Sequence, residues 1–443
     1  MKTLYPKQQE ICGFFLKAHA EGADTLDTSE VGTGKTIVAC ELARQLGRPV
    51  AVLCPKAVIP SWERELKEFG ITPLFVLNYE KVRRGSTEWL TKRGKKAMTW
   101  HLPKGTLVLV DECHKCKAMY SQNAQLLINL KTQGFAVHAM SATAATDPTE
   151  MRALGYLLGE HNLNRAADGL KSFHGWMMHN GCSKDHWGQW AFTRAKEKSK
   201  EALKALHQRL YKDKAARLTT KDFPDSFKGN HVICEPVEFA DQKKILKAYE
   251  DLGITPQVVE DFIENGTVED SEYMLVNILR ARQLAESLKL KDLLARAIEF
   301  NDEHNKAVVI FVNFVDSAEW LYTAAKEEGL HVGKVVGGQS TEERQRVVDS
   351  FQADELHLLI VNIQAGGTGL SLHDINGKRP RVSLICPTFN EKEFAQALGR
   401  IHRNGAKSDA LQYILMAANS VEEAVVKAVM RKLANLDKLQ NNN

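Results

Sequence analysis

Residues 29–36 read Ser29-Glu30-Val31-Gly32-Thr33-Gly34-Lys35-Thr36, and the organisation of the chain follows from this stretch outward. Gly32 and Gly34 let the backbone adopt φ > 0 and approach a ligand closely, so that successive N–H groups, with Thr33 between them, converge on phosphate oxygens. Lys35 is then placed to reach the β- and γ-phosphates, and the Thr36 hydroxyl to ligate Mg²⁺. A helix is expected at once, with Val38, Leu42 and Leu46 on one face and Gly47 as its C-cap. Its N-terminus adds partial positive charge where the phosphates sit. Ser29 stands where the strict pattern G-x-x-x-x-G-K-[ST] has glycine, so an ordinary glycine turn is the competing reading. The downstream residues decide between them.

A chain of 443 residues has room for two or three domains with sizeable cores. Its 44% hydrophobic and 26% charged residues are those of an ordinary soluble globular protein. A net charge of +4 is too mild for a global field, so any nucleic-acid site must come from local basic patches. The eight cysteines are scattered through mostly apolar runs, without a disulfide framework, which suggests a reducing compartment. No apolar run approaches a membrane span, and no signal-type segment opens the chain, so a cytoplasmic protein without membrane contact is expected.

Upstream of the loop, Leu4-Tyr5-Pro6-Lys7-Gln8 leads into a short apolar helix ending near Ala20. The Gln8 amide, donor and acceptor together, can pair with an adenine edge. Downstream, Pro49–Cys54 and Leu74–Leu77 read as strands flanking an amphipathic helix with Trp62, Leu66 and Phe69. From Lys81 to Lys104 there are eight Lys or Arg, including Lys92, Arg93, Lys95 and Lys96, against the single acid Glu88. Trp89 and Trp100 lie among them. The stretch suits a nucleic-acid backbone with base stacking, and equally a solvated loop with two tryptophans folded onto the core.

Thr106–Val110 is a buried-type strand that delivers Asp111-Glu112-Cys113-His114 at its carboxyl end, where open α/β sheets bind ligands. Asp111 would hold Mg²⁺, and Glu112 would orient and deprotonate an attacking water. A further strand, Phe135–Met140, ends in Ser141-Ala142-Thr143. Between Phe173 and Phe192, His179, Cys182 and His186 have a spacing that a metal could use, but no fourth ligand is evident, which favours aromatic packing. From Phe192 to Lys221, ten Lys or Arg face three acids, and Leu203, Leu206 and Leu210 give this segment one apolar helical stripe. Strand–helix alternation resumes with strands expected at Ala307–Phe314, Val332–Val336, Leu356–Val361, Val382–Cys386 and Leu411–Met416.

The order Gln8, phosphate loop, Asp111-Glu112-Cys113-His114, Ser141-Ala142-Thr143 resembles that of superfamily 2 helicases and translocases. Glu30 before Val-Gly-Thr-Gly-Lys-Thr, the opening Leu-x-Pro-x-Gln, and Arg217-Leu218-Thr219-Thr220-Lys221-Asp222-Phe223-Pro224 look like the Snf2 branch. The Trp- and Phe-rich stretch before that run looks most like its annealing-helicase members. Ala365-Gly366-Gly367-Thr368-Gly369-Leu370 resembles motif V, with Gly369 at the nucleotide. Gln396-Ala397-Leu398-Gly399-Arg400-Ile401-His402-Arg403 resembles Q-x-x-G-R-x-x-R. On a helix, Arg400 and Arg403 would share a face, as two arginine fingers need.

The resemblance implies an α/β protein with two RecA-like doubly wound parallel-sheet domains and a helical insertion. The expected domains are 1–150 (ATP-binding), 151–237 (basic helical insertion), 238–300 (helical connection) and 301–443 (second RecA-like domain with a C-terminal helix). It further implies ATP and Mg²⁺ as cofactors, with ATP hydrolysed between the two domains. His114, Ser141, Thr143 and Gln396 would couple hydrolysis to the track. Nucleic-acid contacts are carried over to Pro55, Lys56, Asn78, Tyr79, Asn313 and Thr368. The expected activity is that of an ATP-dependent DNA helicase or translocase acting on branched or forked DNA, of phage or bacterial type, needing no obligate protein partner. The alternatives are an RNA helicase and the motor subunit of a restriction or defence complex.

Overall fold

The structure is a computed structural model. It describes residues 3–85, 87–93, 97–163, 171–184, 188–193, 195–223, 227–265, 271–366 and 370–440. The chain divides into two compact units, residues 1–222 with 434–443, and residues 223–433. Each is built on a parallel sheet with helices, so the α/β class expected from the sequence is the class observed.

In the first unit the strands are β1 (Thr25–Asp27), β2 (Val50–Cys54), β3 (Phe75–Asn78), β4 (Leu90–Arg93), β5 (Ala97–Trp100), β6 (Leu107–Asp111), β7 (Ala136–Met140), β8 (Cys182–Lys184), β9 (Trp190–Phe192) and β10 (Ala215–Ala216). Six of these form the main sheet in the order β10-β1-β7-β6-β2-β3. β2 is buried at every position, and β6 at every position before Asp111, as parallel strands covered on both faces must be. In the strand order, the chain leaving β1 returns at β2 on one flank and the chain leaving β7 returns at β10 on the other. The order therefore reverses between β1 and β7, the position at whose carboxyl ends open α/β sheets bind ligands. For the site at those ends, register matters more than order. Asp27 and Asp111 are both aligned with Met140, and Ala216 is aligned with Asp27, so the four residues form one row across the sheet.

The second unit has β11 (Asn230–Val237), β12 (Ala307–Val312), β13 (Val332–Val335), β14 (Leu358–Asn362), β15 (Arg381–Ile385) and β16 (Ala410–Ala417), in the order β11-β16-β15-β12-β14-β13. β12, β14 and β15 are buried throughout. The helix Thr341–Gln352 starts with a capping box in which Ser340 and Glu343 bond each other's backbone N–H groups.

Segment 151–237 is divided between the two sheets. Its basic helix Lys196–Asp213 leads into β10, which pairs with β1, whereas Asn230–Val237 pairs along its full length with β16. The basic stretch 81–104 contains the antiparallel hairpin β4–β5, whose loop residues Lys95 and Lys96 lie outside the described residues.

Candidate functional site

The loop after β1 turns at Gly32 and Gly34, with φ of 86° and 94°, and Gly34 caps the helix Lys35–Leu46. These are conformations that a side chain disfavours. Gln8 lies under the turn: its Nε2 donates to the Thr33 carbonyl at 2.8 Å, and its Oε1 accepts from Tyr5 N at 3.0 Å. The amide expected to read an adenine edge thus also fastens the phosphate loop. Lys35 Nζ donates to the carbonyls of Ser29 (2.6 Å) and Glu30 (3.0 Å), beneath which Asp27 is fully buried. Burial lowers the Lys35 pKa, against the raising pull of Asp27, Glu112 and Asp111. Asp27 accepts from Ser29 N at 2.8 Å through Oδ1, while its Oδ2 is buried without a partner among the described residues.

Two strands away, Asp111 is held from both ends. Trp62 Nε1 donates to its Oδ2 at 2.9 Å, and the Tyr79 hydroxyl donates to its carbonyl at 2.6 Å. Burial, reinforced by the neighbouring Glu112 carboxylate, pushes the Asp111 carboxyl up to about 7. Glu112 adopts a left-handed conformation with φ 51° and ψ 47°. Such backbone strain in a non-glycine residue is typical of functional sites. The conformation lets Glu112 Oε2 meet His114 Nδ1 at 3.0 Å and the Ser141 hydroxyl at 3.4 Å, while His114 Nδ1 and Ser141 Oγ are 3.0 Å apart. Thr143 N donates to Ser141 Oγ at 3.2 Å. The row register explains this grouping, because Glu112 and Ser141 each follow one of its members.

The donor set fits a Mg²⁺–phosphate group. Thr36 and Asp111 supply hard oxygen donors, and Asp27 leaves one buried carboxylate oxygen to hold a further polar group. Asp27, Trp62 and Arg217 are additions that sequence reasoning misses. Asp27 ends a three-residue strand, and Arg217 reaches the loop across 187 residues.

The residues expected to touch nucleic acid divide sharply. Trp100 is 4% exposed and stacks on Phe75, and Trp89 packs half-buried on the same ring. Trp100 therefore follows the core reading, whereas Trp89 is only partly buried against that core. Lys92 Nζ donates to the Arg83 carbonyl and to Gln122 Oε1, at 3.1 and 3.0 Å. Tyr79 is buried beneath Asp111, Asn78 caps the helix Tyr79–Arg83 by accepting from Lys81 N, and Pro55 is buried. Lys56 is exposed in the turn after β2. The side chain of Arg93 lies outside the described residues. His186 does too, and among the described residues His179 and Cys182 gather no metal-ligand set. Cys113 and Cys116 are buried, and burial pushes the Cys116 thiol up to about 12.

In the second unit, Asn313 is spent internally. Its Nδ2 donates to Glu286 and to the Pro387 carbonyl, and its Oδ1 accepts from Arg282, which lies over the Phe389 ring. Thr368 and Gly369 lie outside the described residues. Gln396 is buried in the helix Glu391–Leu398. That helix stops before the two arginines, which corrects the expectation that they share a helical face. Gly399 caps it, Arg400 follows in the turn, and Arg403 lies in the irregular backbone beyond. Arg400 is 3% exposed and donates to the Leu370 carbonyl at 3.2 Å, whereas Arg403 is half-buried and donates to Gly399 O.

The family description "Helicase conserved C-terminal domain" matches residues 288–405. A protein named as an ATP-dependent RNA helicase in Acanthamoeba polyphaga mimivirus is 28% identical over 94% of this chain and 80% of its own length. The DNA repair and recombination protein RAD54-like of Drosophila persimilis is 24% identical over 94% of this chain and 60% of its own. The chain is similar to the Snf2-like helicases of superfamily 2. The chain spans only about three-fifths of the recombination relative's length. Among solved structures, the Sulfolobus solfataricus SWI2/SNF2 ATPase core in complex with dsDNA aligns over 99% of this chain and 97% of its own, at 16% identity and a TM-score of 0.38. Among the described residues, no helix is long and apolar enough to cross a membrane.

Proposed function

We propose that this Snf2-like protein is an ATP-driven DNA translocase that remodels branched or forked DNA during repair or recombination. The observation that carries the ATPase part is Glu112, strained into place with His114 and Ser141 on its carboxylate, in the row that also holds Asp27 and Asp111. Lys35 and the loop amides bind the phosphates. Thr36 and Asp111 would hold Mg²⁺, which when bound neutralises charge on the phosphates. Glu112 orients a water and takes its proton, and Ser141 and His114 sense the state of that carboxylate. Thr143 and Gln396 extend this coupling, and Arg400 and Arg403 supply positive charge to the phosphates during hydrolysis.

DNA as the track draws support from the repair and recombination names of the Drosophila relatives. The exposed lysines of the helix Lys196–Asp213 are the basic face best suited to a phosphate backbone. The mimivirus relative's name favours a second reading, RNA as the track. One experiment tests both: ATPase rate with single-stranded DNA, duplex, fork, four-way junction and RNA. Greatest stimulation by fork or junction supports the proposal, stimulation by RNA alone replaces it with the second reading, and no stimulation removes both.

A further inference from the structure

The helix Lys196–Asp213 has two faces. Leu203, Leu206 and Leu210 are buried in the first unit's core, while Lys198, Lys200, Lys204 and Lys212 are exposed. Its last turns and the residues after them are bonded to the nucleotide loop along a continuous seam. The Tyr211 hydroxyl meets Thr28 Oγ1. Leu26 N, Thr28 N and Glu30 N donate in succession to the carbonyls of Lys214, Ala216 and Leu218, at 2.9, 3.0 and 2.8 Å. Leu218 N returns a bond to Ser29 Oγ at 2.9 Å, and Thr220 N one to Glu30 Oε2 at 2.8 Å. Arg217 closes the seam, with Nη1 donating to the Thr28 carbonyl at 2.9 Å and Nη2 to Glu30 Oε1 at 3.2 Å.

Glu30 is the point where this seam meets the phosphate-binding groups. Its carbonyl accepts from Lys35 Nζ at 3.0 Å, from Thr33 Oγ1 at 2.8 Å and from Thr33 N at 3.3 Å. Any displacement of the Glu30 peptide therefore moves Thr33 and the ammonium of Lys35 together. The Glu30 side chain is held by residues 217 and 220, which follow directly from the basic helix. An arginine fork bonding a carboxylate and a carbonyl at once fixes both position and orientation, which a point charge would not.

We propose that Arg217 and Glu30 are positioning residues for ATP hydrolysis, through which the basic helix sets the shape of the phosphate loop. A polyanion engaging the lysine face pulls on the helix, and the seam delivers that displacement to Lys35 and Thr33. The loop is a short, glycine-hinged element whose shape both the nucleotide and the seam bias, which is what coupling between two sites requires. The transmission half of this inference rests on the proposed DNA dependence. The positioning half does not.

The test uses the full chain with Arg217→Met, Arg217→Lys, the nearly isosteric Glu30→Gln, and the Glu30→Gln/Arg217→Met pair. Measurements are Mg-ADP affinity by calorimetry, KM and kcat for ATP with and without duplex DNA, duplex affinity, and thermal melting. Arg217→Met and Glu30→Gln are each expected to weaken Mg-ADP and raise KM about tenfold, the scale of coupling between neighbouring charged groups, with melting little changed. The double variant should be no worse than the poorer single one, and Arg217→Lys should recover part of the affinity. Duplex should still bind Arg217→Met but no longer stimulate it. Unchanged Mg-ADP affinity and KM in both Arg217→Met and Glu30→Gln would overturn the positioning role. Equal stimulation of wild type and Arg217→Met by bound duplex would overturn the transmission. If wild type itself responds to no nucleic acid, the proposed function fails, and Mg-ADP affinity alone decides the positioning role.

Discussion

Gln8 lies against Gly34 so closely that a Cβ on Gly34 would overlap the Gln8 amide nitrogen. The same amide bonds the Thr33 carbonyl, and Gly34 has φ of 94°. Gly34→Ala is expected to lose nucleotide affinity by two routes, the overlap and a left-handed strain of about 1–2 kcal/mol. Adding Gln8→Ala relieves the first and not the second. Fluorescent ADP titrations should therefore show partial recovery at best; full recovery would mean that the turn does not need its left-handed residue.

Glu112→Gln keeps the side chain's size but removes the proton acceptor, a role worth roughly 10²–10⁴-fold in rate. Nucleotide should still bind while turnover falls by that factor. Lys35→Ala should instead lower affinity and turnover together. Near-normal turnover in Glu112→Gln, measured by phosphate release, would remove Glu112 from the base role.

The two arginines should separate experimentally because their surroundings differ. Arg403→Ala is expected to lose about 10³–10⁵ in rate, the worth of an arginine finger, with melting temperature unchanged. Arg400 is almost wholly buried and donates to the Leu370 carbonyl, so Arg400→Ala should lower melting temperature as well as rate. Retention of more than about a tenth of wild-type turnover in Arg403→Ala is incompatible with a finger role.

Thr25 Oγ1 lies between His19 Nε2 (2.9 Å) and His138 Nδ1 (2.8 Å), deep in the first unit. Burial lowers the His19 pKa to about 4 and takes His138 well below 6.5. Both are neutral in the folded chain, whereas the unfolded chain protonates them below about 6.5. The unfolded state then binds more protons, so stability falls as pH drops from about 6.5 towards 4, by about 1.4 kcal/mol per pH unit for each histidine. Urea midpoints measured across that window should show the slope, and His19→Gln should reduce it. An unchanged slope in that variant would mean that His19 titrates alike in both states.

Lys198, Lys200 and Lys204 replaced together by alanine should flatten the dependence of log K on log salt for forked DNA, by about 0.9 for each phosphate no longer neutralised. Trp100→Ala should leave that slope alone and cost about 3–5 kcal/mol of stability, as deletion of a buried aromatic does. An unchanged slope in the triple variant would place the DNA arms elsewhere.

The parts of the protein legible in the sequence are those whose signal is local. Runs such as Val50–Cys54 and Ala307–Val312 announce buried parallel strands, and Asp111-Glu112 is visible because it ends such a run. β1 and β10 escape a sequence reading because three and two residues carry no periodicity, and their pairing is a tertiary event. Trp62 reads as core and is core, yet its indole nitrogen also orients Asp111, which apolar patterning cannot register. The spacing of Arg400 and Arg403 allows a shared helical face, but Gly399 ends the helix first.

The two-residue strand β10 also bears on how the first unit is made. β1 lies between β7 and β10, so the backbone donors of Leu26, Thr28 and Glu30 acquire their partners only when residues 214–218 arrive. On the ribosome, the nucleotide loop must therefore wait for nearly two hundred further residues before its flank is closed. A fragment cut at residue 150 would expose that open strand edge, a surface prone to pairing with other chains. The smallest piece that folds cleanly around the loop should accordingly extend through Asp222.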